Sequence, residues 1–162
     1  MKRVSVFSLV VLVVLVGAAG CSKPAPSTAA AAPAAKHEHK PPHAGTPVEL
    51  GDEAYHVELV RDPAAGKLTA YVLDGEMEEF IRVKPATFEV VATVAGAKQT
   101  LSFHAVANAA TGETVGNSSQ FEAQADWLKT TATFDATLAS LEIKGTTFSS
   151  VAFNFPKGND KD

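Results

Sequence analysis

The stretch that decides the fold is Phe88-Glu89-Val90-Val91-Ala92-Thr93-Val94, followed by Ala95-Gly96-Ala97-Lys98-Gln99-Thr100-Leu101-Ser102-Phe103-His104-Ala105. Phe88, Val90, Ala92 and Val94 fall on every second residue, the period of a half-buried strand. Ala95 to Lys98 supplies a turn. Leu101, Phe103 and Ala105 then repeat the alternation, so the whole segment predicts a β-hairpin.

The two-residue period extends in both directions. Upstream, Tyr55, Val57 and Leu59 alternate with His56, Glu58 and Val60. Asp62-Pro63-Ala64-Ala65-Gly66 reads as a turn, and Leu68, Ala70 and Val72 against Thr69, Tyr71 and Leu73 as the returning strand. Asp74-Gly75 ends this hairpin, and the acidic connection Glu76-Met77-Glu78-Glu79 leads to a short predicted strand, Phe80-Ile81-Arg82-Val83, stopped before Pro85. Downstream, residues 107 to 120 are the longest polar loop, after which Phe121, Trp127 and Leu128 supply apolar docking points. Phe134, Ala136 and Leu138, then Leu141 and Ile143, then Val151, Phe153 and Phe155 give the closing strands. Seven or eight short strands at regular spacing and no amphipathic helix predict an all-β domain, a single immunoglobulin-like β-sandwich over residues 47–156, with 157–162 a polar tail.

The N-terminal third has a different composition. Lys2 and Arg3 precede a thirteen-residue, largely apolar run from Val4 to Val16, and small residues lead to Cys21, the single cysteine among 162 residues. Charge, length and small-residue ending together predict a secretory signal peptide over residues 1–20. Ala18-Ala19-Gly20-Cys21 resembles a bacterial lipobox, with Ala18 where Leu is usual, and the resemblance implies that Cys21 is lipidated and becomes the first mature residue. Its acyl chains then attach the chain to a membrane of the bacterial cell envelope, inner or outer. Residues 21–46 hold five prolines and eight alanines after the cysteine and no large apolar side chain, the composition of a disordered tether.

Charge and residue inventory exclude several functions. The net charge is −4, and processing at Cys21 leaves 12 basic against 18 acidic residues. Residues 47–156 alone carry 7 basic and 15 acidic residues, so the domain lacks the basic patch that nucleic-acid binding requires. One cysteine rules out an internal disulfide and a thiolate zinc site. No nucleophile elbow, phosphate loop or dinucleotide fingerprint is present, and the acidic pairs Asp52-Glu53 and Glu78-Glu79 sit at predicted turns as solvated charges do, so no enzyme is expected. The phenylalanines Phe88, Phe103, Phe134, Phe153 and Phe155 fall on apolar faces and read as core, which leaves too few aromatics for a sugar platform.

The histidines carry the remaining chemical signal. His37, His39 and His43 lie in Lys36-His37-Glu38-His39-Lys40-Pro41-Pro42-His43. Neutral imidazoles on a pliant segment can gather around Zn(II), Cu(II) or Ni(II), whereas a linker whose histidines do nothing is the plainer expectation. Within the domain, His56 and Glu58 share one strand face and His104 projects opposite Phe103. These three, completed by His43, form a second candidate metal site if their strands are adjacent, and are exposed side chains otherwise.

The run from Pro42-His43-Ala44-Gly45-Thr46-Pro47 through Asp52-Glu53-Ala54-Tyr55-His56-Val57-Glu58-Leu59-Val60 to Lys67-Leu68-Thr69-Ala70-Tyr71-Val72-Leu73-Asp74 resembles small His-containing bacterial lipoproteins. Similar segments occur near the N-terminus of some cation-efflux adaptor proteins. Ser118-Ser119-Gln120-Phe121 and Ile143-Lys144-Gly145-Thr146-Thr147-Phe148 extend the likeness, so it covers much of residues 42–155. Those lipoproteins are largely of unknown function. The resemblance implies an envelope protein; the histidines make a metal ion the expected partner, and the alternative is an acidic domain displayed to an envelope protein.

Overall fold

The computed structural model describes residues 40–159. Its eight strands are β1 (Thr46–Leu50), β2 (Tyr55–Asp62), β3 (Lys67–Asp74), β4 (Thr87–Val94), β5 (Ala97–Ala105), β6 (Gln120–Gln124), β7 (Phe134–Ile143) and β8 (Thr146–Phe155), with one 3₁₀ turn at Asp126–Lys129. The domain is all-β, as the alternation predicts. All neighbouring strands are antiparallel, in the order β1-β2-β3-β6-β5-β4-β7-β8. This single sheet folds over on itself into a nearly closed, barrel-like sandwich.

The deciding hairpin forms as read, with a tighter turn. Ala95 and Gly96, at φ 50° and 81°, are the two residues between Val94 and its partner Ala97. Two consecutive positive φ values give the turn whose twist matches that of the flanking strands. Ala97 and Lys98, placed in the turn by sequence, are therefore already in β5. Lys144 and Gly145 repeat the device between β7 and β8, at φ 48° and 88°.

Inward residues of all eight strands make one core. Phe88 and Phe103, opposite one another across β4 and β5, stack at 4.8 Å, and Phe121 meets Phe88 edge-on at 5.1 Å. Phe134 stacks on Phe155 at 5.1 Å. All five phenylalanines predicted as core are buried. Between Val48, Val57, Phe88, Leu138 and Phe153 the packing leaves no room for a water molecule, so the interior is a filled core and not a ligand lumen.

The phase change between Leu138 and Leu141, both buried with Ala139 and Ser140 exposed between them, has a structural cause. The β4–β7 register slips between Glu89 and Val90, and this bulge turns the remainder of β7 so that Leu141 and Ile143 face inward again. The Phe80–Val83 segment, expected as a strand, contributes isolated bridges instead. Phe80 pairs with Leu73 and Val83 with Ser118, so the segment crosses between elements and does not run alongside one.

The polar loop between β5 and β6 is fastened by Glu113, which is 7% exposed. Its carboxylate accepts from the Ser119 N–H at 2.8 Å, the Ser119 hydroxyl and the Thr111 hydroxyl at 2.6 Å, with Arg82 Nε 3.9 Å away. Burial alone would raise this carboxyl; the Ser119 and Thr111 hydrogen bonds and the Arg82 charge outweigh burial and hold it below its ordinary value.

The sheet is closed at its seam by side chains. Asn159 donates from Nδ2 to the Glu49 carbonyl at 3.1 Å and accepts the Glu49 N–H at 2.7 Å, and the Thr46 hydroxyl donates to the Pro156 carbonyl at 3.2 Å. Gly158 is required there, because a Cβ would strike the Pro47 carbonyl oxygen.

Candidate functional site

Both faces of β2 are covered. One faces the core, and the other lies beneath the segment preceding β1 and the connection following β3. Pro41 to Ala44 form a tight turn in which the Ala44 N–H reaches the Pro41 carbonyl at 3.0 Å, with Ala44 at φ 54°. The turn aims the next groups down onto β2. His43 N–H and Gly45 N–H donate to Glu58 Oε1 at 2.8 and 2.9 Å, and His43 Nδ1 lies 2.8 Å from Glu58 Oε2. Gly45 is needed for this approach. A Cβ there would lie 2.7 Å from the Leu59 carbonyl oxygen and 2.8 Å from Glu58 Cγ.

Glu58 is 0% exposed, and its carboxylate has these three donors. A carboxyl group at such depth is costly unless its oxygens are hydrogen-bonded, and here both are. As acceptor to two backbone amides it also sets the tautomer of the imidazole: the proton belongs on Nδ1, facing Oε2, and the lone pair of the neutral ring on Nε2.

The ring plane is fixed by aromatic contacts. His43 stacks on Tyr71 of β3 at 4.0 Å and 14°, and Phe80 closes the group at 5.8 Å from His43 and 6.0 Å from Tyr71. Tyr71 stands directly opposite Glu58 in the β2–β3 register. Burial pushes the Tyr71 phenol up, and the Glu58 and Glu122 carboxylates push it the same way against the opposing charge of Lys67. The His43 side chain is 37% exposed, and among the described residues nothing hydrogen-bonds its Nε2. The result is an imidazole clamped by a buried carboxylate and a phenol ring, with its Nε2 unclaimed among the described residues.

The predicted site residues do not all converge. His43 and Glu58 do, but Glu58 spends both oxygens on His43 and Gly45, and so holds the imidazole in place of offering a free ligand oxygen. His56 and Glu58 share a face as read, yet neither is exposed. His56, 2% exposed, lies beneath the connection after β3 with Nδ1 3.4 Å from the Asp74 carbonyl oxygen. That connection is tied down by Asp74 Oδ1, which accepts the Glu78 and Glu79 N–H groups.

His104 is exposed on β5, opposite Thr87 and Glu122. Two strands, β3 and β6, separate β5 from β2, and the register sets His104 three strand spacings, about 14 Å, across the sheet from Val60, which lies four residues along β2 from His56. Among the described residues no group of three or more His, Cys, Asp or Glu side chains is placed to hold a metal ion. The four-residue site of His43, His56, Glu58 and His104 is thus not assembled. Cys21, His37 and His39 lie outside the described residues. No helix among the described residues is long and apolar enough to cross a membrane.

Tyr71, Phe80 and Gly45 were missed as site residues. Gly45 two residues after His43 was the available signal, since a glycine beside a chemically useful residue marks a close backbone approach. Tyr71 had none, because only the register places it opposite Glu58. No family model, no curated protein and no solved structure matches the chain.

Proposed function

We propose that the chain is a non-enzymatic binding domain of the bacterial cell envelope, attached to a membrane through lipidated Cys21, and that it binds a divalent transition-metal ion (Zn(II), Cu(II) or Ni(II)) through His43 Nε2. The observation that carries this reading is the His43–Glu58 pair. Histidines that ligate metals characteristically donate their second ring nitrogen to a carboxylate, which fixes the tautomer and makes the ligating nitrogen more basic. His37 and His39, six and four residues before His43, are the further nitrogen ligands in this reading, with Glu38 between them. The net acidity of residues 47–156 favours approach of a cation.

Calorimetric titration of the full chain with Zn(II), Cu(II) and Ni(II) tests the proposal. The expected result is a one-to-one complex tighter than about 10⁻⁴ M that His43→Ala weakens by at least tenfold. Binding that is weaker than that, or indifferent to His43→Ala, overturns it.

A specific observation favours a second reading, that the domain serves as a docking module for an envelope protein. Phe80 is 47% exposed beside Tyr71 and His43, and Val115 is 62% exposed on the loop held by Glu113. A single stoichiometric partner, recovered from envelope extract in the presence of chelator and lost with Phe80→Ser, would support this reading over the metal one.

A further inference from the structure

We infer that the unpaired half of β5 is a docking edge for an extended, acidic segment of a partner protein, which adds to the sheet as one more strand. This surface uses none of His43, Glu58, Tyr71 or Phe80, and so stands apart from both readings given above.

The edge arises where the sheet parts. β5 pairs with β4 from Ala97 to His104. On its other side β6 pairs with it only at His104 and Ala105, because β6 follows β3 instead, to its end at Gln124 opposite Lys67. Hydrogen bonds give the direction of the backbone. The Ala105 N–H reaches the Ala86 carbonyl on the β4 side at 2.9 Å, and the Val106 N–H reaches the Gln120 carbonyl on the β6 side at 2.9 Å. Backbone groups of successive strand residues point to opposite sides, so those of Ser102, Thr100 and Lys98 face away from β4, as those of Val106 do. Gln124 turns its own into the same gap, since the next amide, Ala125, bonds the Gly66 carbonyl on the β3 side. Among the described residues no strand pairs with Ala97 to Phe103 on that side.

An open edge is specific about what it takes. Its N–H and C=O groups recur every second residue, and another extended backbone matches them. The terminal strands are fastened at their edges: Asn159 takes both backbone groups of Glu49, Pro47 has no N–H, and Asn154 exchanges two hydrogen bonds with Gly158. The open half of β5 has no such cap. Its exposed row is Lys98, Thr100, Ser102 and His104, while buried Leu101 and Phe103 hold it to the core.

The width and charge of the gap select the occupant. A groove of about 560 Å³ lies there, with Thr100, Ser102 and His104 on one side and Glu122 and Gln124 on the other. Bounded on both sides, it admits one strand. A second copy of this domain would bring β4 along with its β5 and meet β6, whereas a single extended segment has no such neighbour. At the His104 end Glu122 is already paired with Lys67 at 2.9 Å, and Glu89 faces Ser102 from β4. Lys98, at the other end, has no ion-pair partner among the described residues. The segment therefore places a carboxylate side chain beside Lys98.

Selection of a random peptide library on the full chain in detergent micelles, with chelator present, tests the inference independently of any metal. Peptides rich in Asp, Glu and β-branched residues, binding tighter than about 10⁻⁴ M, are expected. At a free concentration about ten times Kd, such a peptide should slow amide exchange at Thr100 and Ser102 about tenfold. Ala110, whose N–H is held by Asn108, should be unchanged. Thr100→Pro removes an outward N–H and no bond to β4, so it should keep the fold and abolish binding. Lys98→Glu, at an exposed site, decides if that variant does not fold: it should weaken binding by about 3- to 10-fold at low salt, with recovery when the peptide carries Lys in place of its acidic residue. No peptide tighter than about 10⁻⁴ M, or one that leaves both amides unprotected, overturns the docking edge. Binding indifferent to Lys98→Glu overturns the acidic partner. Self-association of the free chain that Thr100→Pro abolishes assigns the edge to a second copy and overturns the inference.

Discussion

Glu58→Gln is the most informative single substitution, because it removes the charge and turns one acceptor oxygen into a donor while almost keeping the shape. The amide is nearly isosteric with the carboxylate, and its oxygen can still accept the His43 and Gly45 N–H groups that now reach Oε1 at 2.8 and 2.9 Å. Its NH₂ group must then face His43 Nδ1, where the carboxylate oxygen now lies 2.8 Å away. Two donors cannot share that contact, so Nδ1 becomes the acceptor and the imidazole proton moves to Nε2. One charge-assisted hydrogen bond becomes a neutral one of reversed polarity, and the two amide bonds lose their charged acceptor. Together these changes cost about 1–3 kcal/mol of stability, or roughly 3–10 °C in Tm for a domain of this size. On the proposed metal reading, affinity is expected to fall by about 10- to 100-fold, since the Nε2 lone pair is now occupied by a proton. Ring ¹⁵N NMR reports the tautomer of His43 directly, thermal unfolding reports the stability change, and calorimetry with Zn(II) reports the affinity. A variant whose His43 keeps its proton on Nδ1, or which binds Zn(II) as the unmodified chain does, refutes the reasoning that Glu58 sets the tautomer.

Further expectations concern the supports of the site and the fold. Gly45→Ala forces a Cβ against the Leu59 carbonyl and Glu58 Cγ, and should lower stability by about 1–3 kcal/mol in chemical denaturation while loosening His43 from Tyr71; no change would mean the close approach is not required. Asn159→Ala removes both side-chain hydrogen bonds to the Glu49 backbone, and should speed exchange of the Glu49 amide at least tenfold with a global cost of about 1–2 kcal/mol. Glu113 makes a pH-dependent contribution. Its folded pKa lies below the ordinary value of 4.5, so the stabilisation is complete above that value and is lost as pH falls through the lower folded one. Glu113→Gln should therefore cost about 1–3 kcal/mol near neutral pH and progressively less in strong acid, and a cost independent of pH would show that its charge is not what holds the loop.

Much of the fold was legible because its decisive signals are local. The alternation in β4 and β5, the phase change between Leu138 and Leu141, and the small residues at Ala95-Gly96 each report a backbone period or a turn that neighbouring residues settle among themselves. Phe80 to Val83 misled for the same reason: its composition is that of a strand, and only its place between Leu73 and Ser118 prevents it from pairing along its length. The site was legible residue by residue and not as an assembly. His43 was singled out by its neighbours in sequence, yet its partners Glu58 and Tyr71 lie 15 and 28 positions away, joined to it by strand register and by a turn ahead of β1. His56, Glu58 and His104 were grouped by a shared pattern of alternation, which does not encode how many strands lie between them.

The depth of Glu58 carries the final step. Alternation placed it on the polar side of β2, and on that expectation a carboxylate there is ordinary. In the folded chain both faces of β2 are covered, so the same residue is a charge at zero exposure between buried Val57 and Leu59. A well-packed apolar side chain in such a position is commonly as stabilising as the ionic group it replaces, or more so, and stability alone therefore gives no reason for a carboxylate. What an apolar residue could not do is hold two backbone amides and one imidazole nitrogen at once. The carboxylate's hydrogen bonds all go to residues 43–45, where they leave His43 Nε2 unclaimed among the described residues. A sequence rule broken in one place, and compensated there by three directed hydrogen bonds, marks a candidate site more sharply than a count of histidines does.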